Sequence, residues 1–162
     1  MAYPSVSFKP VPQFVGIQPI GNTSTTQQHP LGTIVQAVDS TYGVGEFIYA
    51  KGVASTAAGD VVTLDTKAGT TTRGVAGGRG VAAVAMSANV ASQYGWYAVS
   101  GAVPVNAGTV AAAAPAYLTS TAGQIDDAVV SGDKLDGIII SAAASGGFAT
   151  CQLSRPAANG NG

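Results

Sequence analysis

Short apolar or alternating runs, separated by glycine, aspartate and asparagine, make up most of the chain from about residue 32 onward. Side chains along a β-strand point alternately to opposite faces, so this pattern is typical of strands joined by tight turns. The alternation is clearest near the end, where Ala149, Cys151 and Leu153 would share one face. The pattern predicts strands at 33–38, 46–51, 61–65, 72–75, 81–86, 96–105, 116–119, 137–142 and 148–154.

The spacing of the turn signals favours an all-β sandwich or barrel over βαβ units. Two alanine-rich segments, 81–92 and 110–114, could instead be helical. The first fits a buried strand equally well, because its period does not decide between the two. Pro115 and the lack of charged flanks weaken the second. The predicted fold is all-β, a small β-sandwich or barrel (jelly-roll or β-tulip-like) with an extended proline-rich N-terminal arm.

Residues 1–31 differ from the rest of the chain. Five prolines interrupt every possible helix there, so the stretch is predicted to be extended. It also carries large apolar side chains, including Phe8, Phe14 and Ile17, which a solvated linker would not usually keep. The arm could cross to another molecule or pack on its own domain, and both interpretations stay open. The predicted organisation is an arm at 1–31, a β-domain at 32–156 and a flexible tail at 157–162.

Charged residues form only 9% of the 162 residues, against about a quarter in an average soluble domain. So few charges suit thin β-structure whose surface is partly covered by neighbours. The net charge is −1 and the basic residues are scattered, which gives nucleic-acid binding little electrostatic support. No apolar run approaches the roughly 18 residues that cross a bilayer. The first residues lack a signal-peptide pattern, so we expect the protein to stay in the compartment where it is made.

Candidates for catalysis fail on their sequence context. The segment 78–83 matches G-x-G-x-x-A, but no acidic residue lies between Asp65 and Asp126 to hold a ribose, so a hairpin turn is predicted. The only histidine, His29, lies in the proline-rich arm, a poor place for a preorganised catalytic triad. Cys151 is predicted to be a small buried hydrophobe within a strand. We therefore expect neither an enzyme nor a bound cofactor.

One acidic cluster stands out near the carboxyl-terminal third of the chain. Its members are Asp126, Asp127, Asp133 and Asp136. Carboxylates on a loop can bind Ca²⁺, but the EF-hand spacing and its closing glutamate are absent. Lys134 lies within the cluster, which favours a solvated, locally paired turn. No metal site is predicted.

The segment Tyr94-Gly95-Trp96-Tyr97 concentrates the only tryptophan between two tyrosines. Such side chains bury much area with few rotatable bonds, so they are favoured interface anchors. They would also suit a carbohydrate-stacking platform. The alternative is a core strand with alternate aromatics inside, which we favour for Trp96 alone. The candidate interface residues are Phe8, Phe14, Ile17, Tyr94, Trp96 and Tyr97.

Several segments of the chain resemble the small proteins that decorate the heads of tailed bacteriophages. They are Gly-Glu-Phe-Ile-Tyr-Ala-Lys-Gly-Val-Ala-Ser-Thr at 45–56, Ala-Gly-Asp-Val-Val-Thr at 58–63, Val-Ala-Met-Ser-Ala at 84–88, Gln-Tyr-Gly-Trp-Tyr at 93–97, Tyr-Leu-Thr-Ser-Thr-Ala-Gly at 117–123 and Asp-Asp-Ala-Val-Val-Ser-Gly-Asp at 126–133. The resemblance spans about residues 32–156 and does not extend to the proline-rich arm. The family has no catalytic residues to carry over.

The resemblance implies a structural virion protein that binds the outer surface of a phage capsid and bridges adjacent capsomers. Its implied partners are the major capsid protein and further copies of itself, as a homodimer or homotrimer. It would be made in the bacterial host cytoplasm and end on the virion surface. Alternatives are another virion part, such as a head-fibre base, minor capsid or tail protein, or a carbohydrate-binding β-module.

Overall fold

The computed structural model describes residues 2–10, 16–89 and 91–159. All regular structure in these residues is β, and no helix occurs among them. The strands are β1 (Lys9–Pro10), β2 (Ile34–Asp39), β3 (Gly43–Lys51), β4 (Val61–Asp65), β5 (Thr70–Arg73), β6 (Gly80–Ala85), β7 (Tyr94–Asn106), β8 (Ala114–Leu118), β9 (Ile125–Asp126), β10 (Lys134–Ser145) and β11 (Phe148–Ala158).

The all-β prediction is confirmed, and each of the nine predicted strands overlaps an observed one. The two-residue strands β1 and β9 were not predicted, because two residues carry no measurable alternation. The helical alternatives are wrong for the described residues. The segment 81–92 forms most of β6 and a following turn, and 110–114 is a loop that enters β8. The G-x-G-x-x-A segment therefore leads into a strand, which rules out the strand-turn-helix context of a dinucleotide site.

The strands form one sheet in the order β1-β2-β3-β5-β4-β6-β7-β11-β10-β8-β9. Two further pairings, β3 with β7 and β6 with β11, fold this sheet back on itself. Strands β3, β5, β4, β6 and β7 therefore form a closed circuit of pairings. Neighbouring strands are antiparallel except β3 and β5, which pair in parallel at Lys51 and Thr70.

Alternation along the strands of this circuit divides their side chains between two cores. In β3, Phe47 and Tyr49 belong to the larger core, whereas Ile48 packs against the smaller one. The smaller core consists of Ala50, Val62, Leu64, Ala83, Ala85, Tyr97 and Val99. All of these residues come from strands of the circuit, so the circuit encloses the smaller core. The larger core lies on the opposite face and extends across β2, β7, β11, β10 and β8.

The described residues of the N-terminal segment, 2–10 and 16–31, pack on their own domain. Phe8 is buried, and its ring lies 4.8 Å from the ring of Phe47 in an edge-to-face contact. Ile20 is buried in the same core, and Ile17 packs against it half-buried. The side chain of Phe8, and part of that of Ile17, therefore pack within this chain. Phe14 lies outside the described residues.

Asp39 fastens this segment to the β2–β3 turn. Its carboxylate accepts hydrogen bonds from the N–H of Ser7 at 2.6 Å, of Thr41 at 2.7 Å and of Tyr42 at 3.0 Å. Burial acts to raise the pKa of Asp39, but these three backbone donors stabilise its charged form, and the net pKa lies below its ordinary value of 3.8. The charged carboxylate thus joins the N-terminal segment to the turn.

A lowered pKa means that this stabilisation is present above pH 3.8 and is lost as the pH falls through the folded-state pKa. We expect the Ser7 amide to lose hydrogen-exchange protection on acidification over that window. Asp39→Asn should weaken its protection at neutral pH. Asp65→Asn is the matched control, because Asp65 accepts similar turn bonds from Lys67 and Ala68 but none from the described residues of the N-terminal segment. Equal Ser7 exchange in both variants would contradict the assignment.

Asp60 forms a buried polar node immediately before β4. Its carboxylate is inaccessible and accepts hydrogen bonds from the Ala57 N–H at 3.0 Å and from Asn106 Nδ2 at 3.0 Å. It also forms an ion pair with Arg73 Nε at 2.9 Å. A Cβ at Gly123, where φ is +82°, would collide with this carboxylate, so only glycine lets that loop approach. The node therefore joins four separate segments of the chain.

The last strand changes partner along its length. Residues 148–154 pair with β7, whereas 157–158 pair with β6. Between these two stretches β11 forms a β-bulge: its pairing with β10 changes register opposite Gly137. Arg155 adopts a φ of +44° in this bulge, a backbone region that side-chain-bearing residues seldom occupy. The bulge turns the end of β11 toward β6.

The end of β11 differs from the predicted tail. Ala157 and Ala158 belong to the strand, and Ala158 is buried, although the flexible tail was predicted to begin at residue 157. Burial still alternates from Pro156 to Ala158. The sequence did not reveal this, because two neighbouring alanines followed by Asn-Gly show no alternation of apolar and polar residues. Residues 160–162 lie outside the described residues.

Candidate interaction surface

The aromatic segment of β7 lies inside the molecule. Trp96 and Tyr97 are both fully buried, Trp96 in the larger core and Tyr97 in the smaller one. Tyr94 is half-buried and stacks on Tyr49 with ring centroids 6.3 Å apart. The structure thus corrects the assignment of Trp96 and Tyr97 to an interface, because β7 lies between both cores and neither face of it reaches solvent there. A carbohydrate platform of these three rings is likewise absent from the surface.

Trp96 instead holds the N-terminal segment. Its Nε1 donates to the Gln18 carbonyl at 2.9 Å, and the Tyr49 hydroxyl donates to Gln18 Oε1 at 2.8 Å. The Gln18 N–H in turn donates to His29 Nε2 at 3.1 Å. The His29 ring lies 5.1 Å from Tyr49 and 5.5 Å from Trp96, centroid to centroid. His29 thus packs against two core aromatic rings, and sequence spacing gave no sign of this packing.

The carboxylates of the acidic cluster have partners within the chain, two of them distant in the sequence. Asp133 accepts from the Gly77 N–H at 2.6 Å, and Asp127 accepts from the Ala111 N–H at 2.8 Å. Lys134 and Asp136 form an ion pair at 3.3 Å. Among the described residues no group of three or more metal-ligating side chains comes together. Asp133 and Asp127 therefore join loops that are distant in the sequence.

Cys151 is a free, fully buried thiol in β11, which confirms its prediction as a small hydrophobe. Burial raises the pKa of this thiol to about 12. At neutral pH it is thus protonated and shielded, the opposite of a reactive cysteine.

The sheet has one broad exposed side, opposite the larger core, which we call the outer face. On β2 and β3 its residues pair directly, Ile34 with Ile48, Gln36 with Glu46 and Val38 with Val44. Residues paired in this way point to the same side of a sheet. The face continues over β7, β11 and β10 through Ala102, Gln152 and Ile139.

The outer face carries four exposed aliphatic side chains among polar ones such as Gln36 and Gln152. Val44 is 62% exposed, Ile139 51%, Val38 45% and Ile34 43%. On this face Glu46 forms an ion pair at 3.0 Å with Arg155 from the bulge of β11, and Lys9, which pairs with Val38, adds an exposed cation. Interface cores are depleted of charge, and contiguous exposed apolar side chains mark interaction sites. Four of the eight large hydrophobic side chains that are exposed among the described residues lie on the outer face, which makes it the candidate interaction surface.

A cavity of about 350 Å³ opens where the outer face meets the closed circuit. Ile48, Leu64 and Val99 line it, so it is the open end of the smaller core. The end of β11 forms another wall, which includes Arg155. The cavity thus depends on the bulge that turns β11 toward β6.

Comparison with known proteins found no matching family model, curated protein or solved structure. No helix suited in length and apolar character to crossing a membrane occurs in the part of the chain that the structure describes.

Proposed function

We propose that this chain is a structural virion protein that binds the outer surface of a phage capsid and bridges adjacent capsomers. The observation that carries the proposal is the outer face, a side of the sheet with four exposed aliphatic side chains on which Arg155 neutralises Glu46. The segments that resemble head-decoration proteins supply the choice of partner, the major capsid protein. In this role the chain binds and does not catalyse.

The physical basis is preferential binding to the assembled shell. A subunit that spans two capsomers buries its outer face only where both are present at the right separation. Anything that binds the assembled state alone stabilises it by mass action. Repetition over the shell adds avidity, and a homodimer or homotrimer would strengthen each site further. The protein would be made in the host cytoplasm and act on the head.

The finer architecture is part of this proposal. We place the chain among small β-sandwiches or barrels of jelly-roll or β-tulip type. The closed circuit of β3, β5, β4, β6 and β7 supports that placement, because circular pairing removes the free edges that would otherwise pair with other chains. The described part of the N-terminal segment supports the domain by packing on it.

The test is binding of valine-to-aspartate variants to purified heads of the phage that carries this chain, prepared without it. Val44→Asp places an unpaired carboxylate in the outer face, and we expect it to weaken binding by at least about tenfold. Val129→Asp is the control, because Val129 is 78% exposed on the loop after β9, at the other end of the strand order from β2 and β3. Occupancy on heads is measured by sedimentation and gel densitometry.

Three results would overturn the proposal in different ways. Equal binding by Val44→Asp and the parent protein would remove the outer face from the contact. Failure of the parent to bind heads, with binding to tails, would place it elsewhere in the virion. Failure to bind any virion part would remove the structural role altogether.

A further inference from the structure

The cavity at the open end of the smaller core has the composition of a ligand site. Its volume of about 350 Å³ lies at the lower end of the range for small-molecule pockets. Ile48, Leu64, Val81 and Val99 give it aliphatic walls. Such a surface favours a ligand with a hydrocarbon chain, since every apolar group that enters leaves water.

The polar groups are confined to two positions. Thr66 and Arg155 are the polar side chains of the lining, and no carboxylate is among the described residues that line it. Arg155 Nη2 bonds Glu46, whereas no partner occurs among the described residues for its Nε and Nη1 donors. A guanidinium with free donors recognises a carboxylate in a fork geometry. The lining thus combines aliphatic walls with one guanidinium, whose charge is paired with Glu46 and whose Nε and Nη1 have no partner among the described residues.

Arg155 is held at this position by the backbone. The bulge opposite Gly137 gives Arg155 its positive φ, and Pro156, which has no N–H to leave unpaired, follows it into the cavity wall. A Cβ at Gly137 would meet the Ser154 carbonyl oxygen at 2.7 Å, so glycine is required there. Bulges commonly re-aim a side chain beside a functional site.

We propose that this cavity binds one aliphatic carboxylate, with its chain among Ile48, Leu64 and Val99 and its carboxylate on the Arg155 guanidinium. The small volume selects a single chain and disfavours a two-chain lipid. The proposal does not depend on the proposed function, since it concerns the purified chain alone.

The experiment is calorimetric titration of the purified full chain with octanoate and decanoate below their micelle concentrations, and with decanol. The parent should bind decanoate at one site per chain and more tightly than decanol. Arg155→Gln should weaken decanoate about tenfold and leave decanol unchanged, because only the charge-assisted hydrogen bonds are removed. Arg79→Gln is the control, as Arg79 is an exposed arginine outside the cavity.

A second pair of variants tests the location. Val81→Phe should fill the cavity and abolish binding of both ligands, whereas Val75→Phe should change neither. The two valines are matched, since Val81 is 41% exposed and Val75 is 40% exposed, but only Val81 lines the cavity. Circular dichroism of each variant confirms that it folds.

Several outcomes would overturn the proposal. They are no saturable decanoate binding, equal affinity for decanoate and decanol, and binding that Val81→Phe leaves intact. Binding to phosphatidylcholine or phosphatidylglycerol vesicles without binding of monomeric decanoate would assign the surface to a membrane instead. Self-association that Val81→Phe abolishes, without decanoate binding, would assign it to a second copy of the chain.

Discussion

Replacing Asp60 by alanine is expected to lower the free energy of unfolding by about 3–5 kcal/mol. The substitution removes the carboxylate that accepts from Ala57, Arg73 and Asn106 in an inaccessible site. Arg73 would keep one hydrogen bond, from its Nη2 to the Ala122 carbonyl, but its partly buried charge would lose its counter-ion. Urea denaturation followed by tryptophan fluorescence measures the loss.

The matched control for this prediction is Asp136→Ala. Asp136 also pairs with a cation, Lys134 at 3.3 Å, but the two side chains are 45% and 38% exposed. An exposed pair of this kind contributes about 0–1 kcal/mol, because water and salt screen it. If both alanine variants lost a similar free energy of unfolding, burial would not be the reason that Asp60 stabilises the fold.

Replacing Trp96 by alanine should cost about 3–5 kcal/mol of stability, the usual loss for a large aromatic removed from a core. Trp96 is fully buried, and its indole N–H holds the Gln18 carbonyl of the N-terminal segment. We therefore expect a second effect besides the lost stability. Residues 16–31 should become sensitive to proteolysis before the β-domain unfolds, which limited digestion and mass spectrometry would detect.

Trp96→Phe separates the two contributions of this side chain. Phenylalanine keeps most of the apolar ring but cannot donate to the Gln18 carbonyl, so the loss should be smaller and come mainly from the unsatisfied acceptor. If Trp96→Phe and Trp96→Ala were equally stable, packing of the indole would not be the main contribution. If neither released residues 16–31, these residues would be held by other contacts, such as those of Ile20 in the larger core.

The strands could be predicted because their evidence is local. Alternation and turn residues lie within a few positions of one another, and the observed strands overlap all nine predicted segments. The pairing circuit of β3, β5, β4, β6 and β7 could not be predicted, because it joins segments far apart in the sequence. The bulge at Arg155 was equally hidden, since it depends on Gly137 in the neighbouring strand.

The outer face was not predicted from the sequence, because apolar residues occur on both sides of its strands, as in β2. Its apolar residues occupy both faces, with Val35 and Ala37 buried and Ile34 and Val38 exposed. Alternation separates these two sets but does not say which one faces water. The aromatics of β7 pose the same problem, because Trp96 and Tyr97 point to opposite faces and both faces are buried.

The sequence by itself determined an all-β chain with few charges, a buried cysteine and a proline-rich N-terminal segment. These properties follow from composition and from contacts between near neighbours. Tertiary structure alone decided that Phe8 and Ile20 of the segment enter the core, that Arg155 neutralises Glu46, and that a cavity opens beside them. Each of these depends on side chains brought together from distant strands, and one sequence carries no direct record of that pairing.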